Sequence, residues 1–203
     1  MFAETLKQMK TGFLLLIFFT VVTGIIYPLI VTGIAQVAFP WRANGSIITV
    51  NGKAVGSELI GQEFTQDKYF WGRPSATIPY AYNAESSSGS NYGPIDETYL
   101  NNVKARVGNL KAADYSNANA APVDLVTASG SGLDSDISPY AAFYQARRIA
   151  IARNIDVDAV VNILIQNSIN QRILGILGEP RVNVLQLNLT LDGLIDTPKS
   201  KKE

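Results

Sequence analysis

Residues Thr11–Trp41 read TGFLLLIFFTVVTGIIYPLIVTGIAQVAFPW, 31 consecutive positions without a charged side chain. About 20 apolar residues in a helix cross a hydrocarbon core of roughly 30 Å, so this run spans a bilayer with length left for tilt. Gly12, Gly24, Gly33 and Pro28 would weaken a helix in water but are tolerated in lipid. A cleaved leader has an apolar region of about 7–15 residues closed by a small-x-small site. This run is longer, and Ala35-Gln36-Val37-Ala38 lacks that spacing. The sequence predicts a retained transmembrane helix over 11–38. Lys7 and Lys10 before the span place residues 1–10 in the cytoplasm by the positive-inside rule, although Arg42 and Lys53 follow it. The rest of the chain is then expected outside the cytoplasm. Gly12, Thr20, Thr23, Gly24 and Thr32 could let another helix approach, but no GxxxG pattern is present.

Composition excludes more than it includes. Lys+Arg and Asp+Glu stand at 17 each, so no electrostatic footprint for nucleic acid exists. Histidine and cysteine are both absent. That removes Ser-His-Asp and Cys-His nucleophile systems, zinc bound through His or Cys, and disulfides.

Beyond the span, Ile47–Val50, Asn51-Gly52 and Lys53–Val55 predict a β-hairpin, because Asn-Gly takes the positive φ angles of a type I′ turn. Gly52-Lys53 is not a P-loop: no glycine stands at the required distance before it, and Ala54 replaces the magnesium-binding hydroxyl. Residues 56–95 are rich in Gly, Ser, Pro and aromatics and read as a long ordered loop with functional or interface content. One helix is expected over about 96–112 with Leu100, Val103, Val107 and Leu110 on one face. A second starts at Ser138-Pro139 and runs through YAAFYQARRIAIAR, and a third starts at Asp156 with Val157, Val160, Val161, Leu164 and Ile165 at helical spacing. Val123–Ala128 reads as a buried strand. Val182–Leu191 alternates Leu185, Leu187, Leu189 and Leu191 with polar residues, which favours a strand over a short apolar helix. The fold class is α+β: one N-terminal transmembrane helix, then one mixed α/β extracytoplasmic domain over 42–195, then a disordered tail over 196–203.

The Gly/Ser-rich turn over 127–139, between the expected strand and the second helix, carries the main functional candidates. Ser129, Gly130, Ser131, Gly132, Asp134 and Asp136, together with Trp71 and Arg73, form a candidate interface or ligand loop. Backbone N–H groups beside a helix start can hold an anion, but Asp134 and Asp136 already supply negative charge that suits the helix dipole. The turn is not G-x-S-x-G, and the glycine and closing glutamate of a calcium loop are missing, Gln145 standing at the last position. Arg147, Arg148 and Arg153 read as a basic patch, either solvated or paired with acids such as Asp156 and Asp158, or facing a lipid headgroup or an acidic subunit. No catalytic residue and no metal ligand set is expected. A membrane-anchored extracytoplasmic binding module or a Ser/Lys-type enzyme is the alternative reading.

Taken together, WGRPS at 71–75, SGSNYGP at 88–94, DLVTASGSGLDSDISPYAA at 124–142, YQARRIAIAR at 144–153 and LGEPRVNVLQLNL at 177–189 resemble the C subunit of the Kdp-type potassium-transporting ATPase. The resemblance implies a non-catalytic subunit. Its partners would be a channel-like potassium-translocating subunit, a P-type ATPase subunit and a small single-span subunit, with membrane lipid around the anchor. It also implies an assembly role and a catalytic-chaperone role that raises the ATPase subunit's affinity for ATP. ATP contact is implied by the resemblance alone, and Ile155-Asp156-Val157-Asp158-Ala159 lacks the Ser and Gln that would support it. Many members carry His where this chain has Asp136, so that imidazole is not essential here.

Overall fold

The computed structural model describes residues 2–161 and 168–193, which divide into two units at Ile47/Ile48. The first unit is helical: α1 (Phe2–Val21), a π-helical turn (Val22–Ile26), α2 (Tyr27–Ala38) and the single turn α3 (Pro40–Ala43). Phe2–Ala38 is long and apolar enough to cross a membrane, and none of its side chains is buried within the chain. Helix formation reaches back past the expected start at residue 11, through Lys10 and Lys7. The π-turn has a local cause. Pro28 has no N–H to offer Gly24, and its ring crowds that carbonyl. One added residue relieves the crowding, with the Tyr27 N–H bonding back to the Val22 carbonyl.

The second unit opens on the hairpin β1 (Ile47–Val50) and β2 (Lys53–Ser57). Its turn residues have φ of 51° at Asn51 and 76° at Gly52, as the Asn-Gly pair requires. No helix or strand interrupts the following stretch until α4 (Glu97–Ala113), whose Asp96 cap accepts from the Thr98 and Tyr99 N–H groups. Leu110 is buried and Val103 and Val107 pack on the core, but Leu100 is exposed, a correction to the four-residue face read from spacing.

Val123–Ala128 is not a strand: Val123–Val126 forms the single helical turn α5 behind Pro122. The chain then makes the short strand β3 (Asp136–Ile137) and enters α6 (Pro139–Arg153). Ser138 caps α6 through its Oγ at 3.1 Å from the Ala141 N–H, and Asn154 ends it in the left-handed conformation. Ala141, Ala142, Ala146 and Ala150 are buried, so α6 seats close to its neighbours. The third helix begins as expected after Asp156, with α7 (Val157–Ala159) and the buried Val160; Leu164 and Ile165 lie outside the described residues, as does the tail.

The second sheet is antiparallel in the order β3-β5-β4, where β4 is Ile169–Asn170 and β5 is Arg181–Asn183. Ile137 and Ile169 both face Val182 across it. The alternating leucines that suggested a strand form the helix α8 (Val184–Leu191) instead. Asn183 caps it by accepting from the Gln186 N–H, and Val184, Leu185, Leu187, Asn188 and Leu189 are all buried. A helix buried on nearly every side shows no single apolar stripe, so alternation in its sequence carries no information about period.

Candidate functional site

The long connection between β2 and α4 is held down by buried amide side chains. Asn188 on α8 accepts from the Phe70 N–H at 2.8 Å and donates Nδ2 to the Phe70 carbonyl at 3.0 Å. Gln145 on α6 repeats the pattern one residue later, accepting from the Trp71 N–H at 2.8 Å and donating Nε2 to the Trp71 carbonyl at 3.1 Å. Two helices thereby satisfy a buried peptide segment as a neighbouring strand would. The Phe70 ring is fully buried as a result.

Arg148, one turn along α6, completes the clasp. Its guanidinium lies 4.0 Å from the Trp71 ring centre, bonds Gln145 Oε1 and the Tyr69 and Asp67 carbonyls, and has the Asp67 carboxylate at 3.9 Å. Burial lowers its pKa to about 10. Arg153 bonds Asp192 at 2.7 Å and the Lys68 carbonyl, while Arg147 reaches Asp114 and Ser116. The basic patch read from the sequence is therefore a set of internal braces, and its acids are Asp67, Asp114 and Asp192 rather than Asp156 or Asp158.

Past Trp71 the strap meets the Gly/Ser turn. The Ser129 N–H donates to the Pro74 carbonyl, and Ser75 Oγ donates to the Gly132 carbonyl at 2.7 Å. Ser88 N–H and Ser87 Oγ both donate to the Ser131 carbonyl at 3.0 Å, and Gly61 N–H donates to Leu133. The turn's own hydroxyls are spent locally: Ser129 Oγ accepts from Gly132 N–H and Ser131 Oγ from Leu133 N–H. Gly132 has φ +69°, and a Cβ there would stand 2.6 Å from the Ser88 carbonyl oxygen.

The two acids have arginine partners. Asp134 pairs with Arg73 at 3.0 Å, and Asp136 pairs with Arg181 at 2.9 Å while accepting from Asn183 Nδ2 at 3.0 Å. Burial raises the Asp136 pKa, opposed by the Asn183 bond and the Arg181 charge. The acid bonded at the entry to α6 is Asp124, whose carboxylate accepts from the Ser138 N–H at 2.7 Å.

A cleft of about 450 Å³ opens beside this junction. Trp71 and Arg73 line it together with Tyr82, Arg106 and Leu110 of α4, and Leu125 of α5. Tyr82 donates its hydroxyl to the Arg73 carbonyl at 2.6 Å, and burial pushes its pKa up to about 12. Of the residues singled out from sequence, Arg73 and Asp134 meet directly, Trp71 stacks on Arg148, and Asp136 turns to the three-stranded sheet. Among the lining residues are neither Ser129 to Gly132 nor the two aspartates. Sequence reading missed Tyr82, Arg106, Gln145 and Asn188, and it read Arg148 as part of a basic patch. Gln145 and Asn188 could have been found as amides amid buried apolar helix positions. Among the described residues no group of His, Cys, Asp and Glu is placed to hold a metal ion.

Residues 9–193 match the family model described as K+-transporting ATPase, c chain (KdpC). A potassium-transporting ATPase KdpC subunit of Herpetosiphon aurantiacus is 59% identical over 177 residues, covering 87% of this chain and 91% of the relative. The protein of the same name from Methylococcus capsulatus is 54% identical over 189 residues, covering 93% and 99%. That from Polynucleobacter asymbioticus is 55% identical over 179 residues, covering 88% and 94%. With the match running from the apolar helix to the end of α8, this chain belongs to the KdpC family, the c chain of the K+-transporting ATPase.

Proposed function

We propose that this chain is a non-catalytic subunit of a potassium-transporting ATPase complex, held by Phe2–Ala38 in the cell membrane with its N-terminus cytoplasmic and its domain outside. Membership of a family named for a subunit carries this reading. Its partners are a channel-like potassium-translocating subunit, a P-type ATPase subunit and a small single-span subunit. The chemistry at hand supports a structural part. The chain has no histidine or cysteine to activate a nucleophile, and Ser75, Ser129 and Ser131 spend their hydroxyls on backbone groups. Any rise in the ATPase subunit's affinity for ATP is then transmitted through assembly, because a domain outside the cytoplasm does not meet cytoplasmic nucleotide.

An exposed apolar tip supports an assembly role. Ile173 bridges Leu177, and Arg172 pairs with Glu179 at 2.6 Å just outside it. Ile173, Leu174, Ile176 and Leu177 are each more than half exposed, a patch that a water-soluble surface rarely leaves uncovered. Replacing Leu174 and Ile176 together by Asn should leave the chain folded and lower its co-purification with the ATPase subunit severalfold. ATPase turnover per assembled complex should stay near wild type. Full assembly with lost turnover would instead mean that the chain takes part in the chemistry.

A further inference from the structure

The cleft beside the strap holds arginine donors that the fold does not use. Arg106 projects from α4 and bonds only the Val126 carbonyl, through Nη1 at 3.0 Å, with no carboxylate in ion-pair range among the described residues. Burial draws its pKa down, so this cation is partly dehydrated and lacks a counterion. Arg73 lines the same cleft, but it gives Nη1 to Asp134 and its Nε is closed off from solvent. A partly dehydrated cation without a counterion is costly, and a guanidinium matches a carboxylate in shape and charge. The remaining walls include Phe64, Trp71, Pro74 and Leu125, which are apolar.

We propose that this cleft binds a carboxylate carried on a small apolar body, with the carboxylate on Arg106 and the body against Trp71, Phe64 and Leu125. The volume of about 450 Å³ lies within the range for small-ligand sites. Charge favours a monoanion over phosphate: Arg73 is already half-committed to Asp134, and Glu63 lines the same cleft. Apolar walls disfavour a fully hydrated anion. Glu63 is an exposed part of the same lining, and its negative charge weakens binding of an anion. The site stands on the cleft and does not depend on the assembly reading; a free metabolite or an acidic side chain of a partner subunit supplies the same chemistry.

The test uses the full chain in detergent. Because the chain has no cysteine, Asn109→Cys on the cleft wall takes a single trifluoromethyl label for fluorine NMR. Isovalerate should shift the label saturably, and its neutral isostere isovaleramide should bind at least about tenfold more weakly, as expected for loss of a charge-assisted bond. Inorganic phosphate should also bind more weakly than isovalerate. Arg106→Gln should remove the preference for acid over amide, and Glu63→Gln should tighten isovalerate severalfold. The acid-to-amide comparison in the otherwise unaltered chain needs no arginine variant to fold. Equal binding of acid and amide, or tighter binding of phosphate, overturns the proposal. So does an Arg106→Gln chain that folds and keeps the preference. In the reconstituted complex, a label still shifted by isovalerate identifies a free small molecule as the source. A label already shifted and insensitive to isovalerate identifies a partner's carboxylate.

Discussion

Asn188 shows how much one buried amide can hold. It satisfies both the N–H and the carbonyl of Phe70, and both sets of atoms are out of water. Asn188→Leu fits a similar volume but strands two backbone groups, each costing about 1–3 kcal/mol when buried unpaired. The urea midpoint of the variant should fall by the equivalent of at least about 2 kcal/mol. Asp136 makes a separate prediction with a sign. Its folded pKa is raised above its unfolded value, so the folded state binds that proton more tightly. This group's contribution is greatest below the unfolded pKa and is lost as pH rises through the folded one. Wild type should therefore gain stability relative to Asp136→Asn as pH falls from 7 to 3.5, read from paired unfolding curves. An unchanged difference across that range would mean the carboxylate is not desolvated.

At the scale of elements, the turn over 127–139 behaves as a stitched corner, and its glycines separate cause from composition. Gly132 combines a positive φ with the close Ser88 carbonyl, whereas a Cβ on Gly130 would meet nothing within 4 Å. A side chain in left-handed backbone costs roughly 1–2 kcal/mol before any clash. Gly132→Ala should thus destabilise the chain by about 2 kcal/mol or more and Gly130→Ala by within about 0.5 kcal/mol, measured by chemical unfolding. Elements with local punctuation were legible in the sequence. Asn51-Gly52, Asp96 and Ser138-Pro139 each act locally, and the hairpin turns and α4 and α6 begin where those residues stand. The elements defined by burial were misread. Leu125, Val126 and most of Val184–Leu191 are packed in the core, and apolarity without period does not distinguish strand from helix. Asn183, a cap residue placed one position before α8, was the available signal. At the site, Trp71 and Arg73 stood out by residue type. Arg106 and Asn188 did not, because their roles rest on contacts across 20 and 118 residues of sequence.

For the whole molecule, the question is on which side of the membrane the domain lies and what the anchor does. Lys7 and Lys10 precede the span, so a cysteine placed at Asn51, in the exposed hairpin turn, should react with an impermeant thiol reagent in intact cells. Labelling only after lysis would reverse the topology and return direct nucleotide contact to consideration. The anchor carries more detail than tethering needs. A span that only faces lipid works with any apolar sequence, yet this one contains Gly24 and Thr23 inside a π-helical turn, with Thr23 Oγ1 bonded back to the Phe19 carbonyl at 2.6 Å. A π-turn inserts a residue, which rotates the side chains beyond it by about 100° relative to a regular helix. The apolar faces of α1 and α2 are thus offset, and small residues at the offset leave room for another helix to approach. Replacing residues 11–38 by an unrelated uninterrupted span of equal length should preserve membrane insertion. It should lower recovery of the chain with its partner subunits severalfold, measured by quantitative co-purification in mild detergent. Equal recovery and undiminished potassium uptake would show that the offset is only an accommodation of Pro28 within a passive anchor.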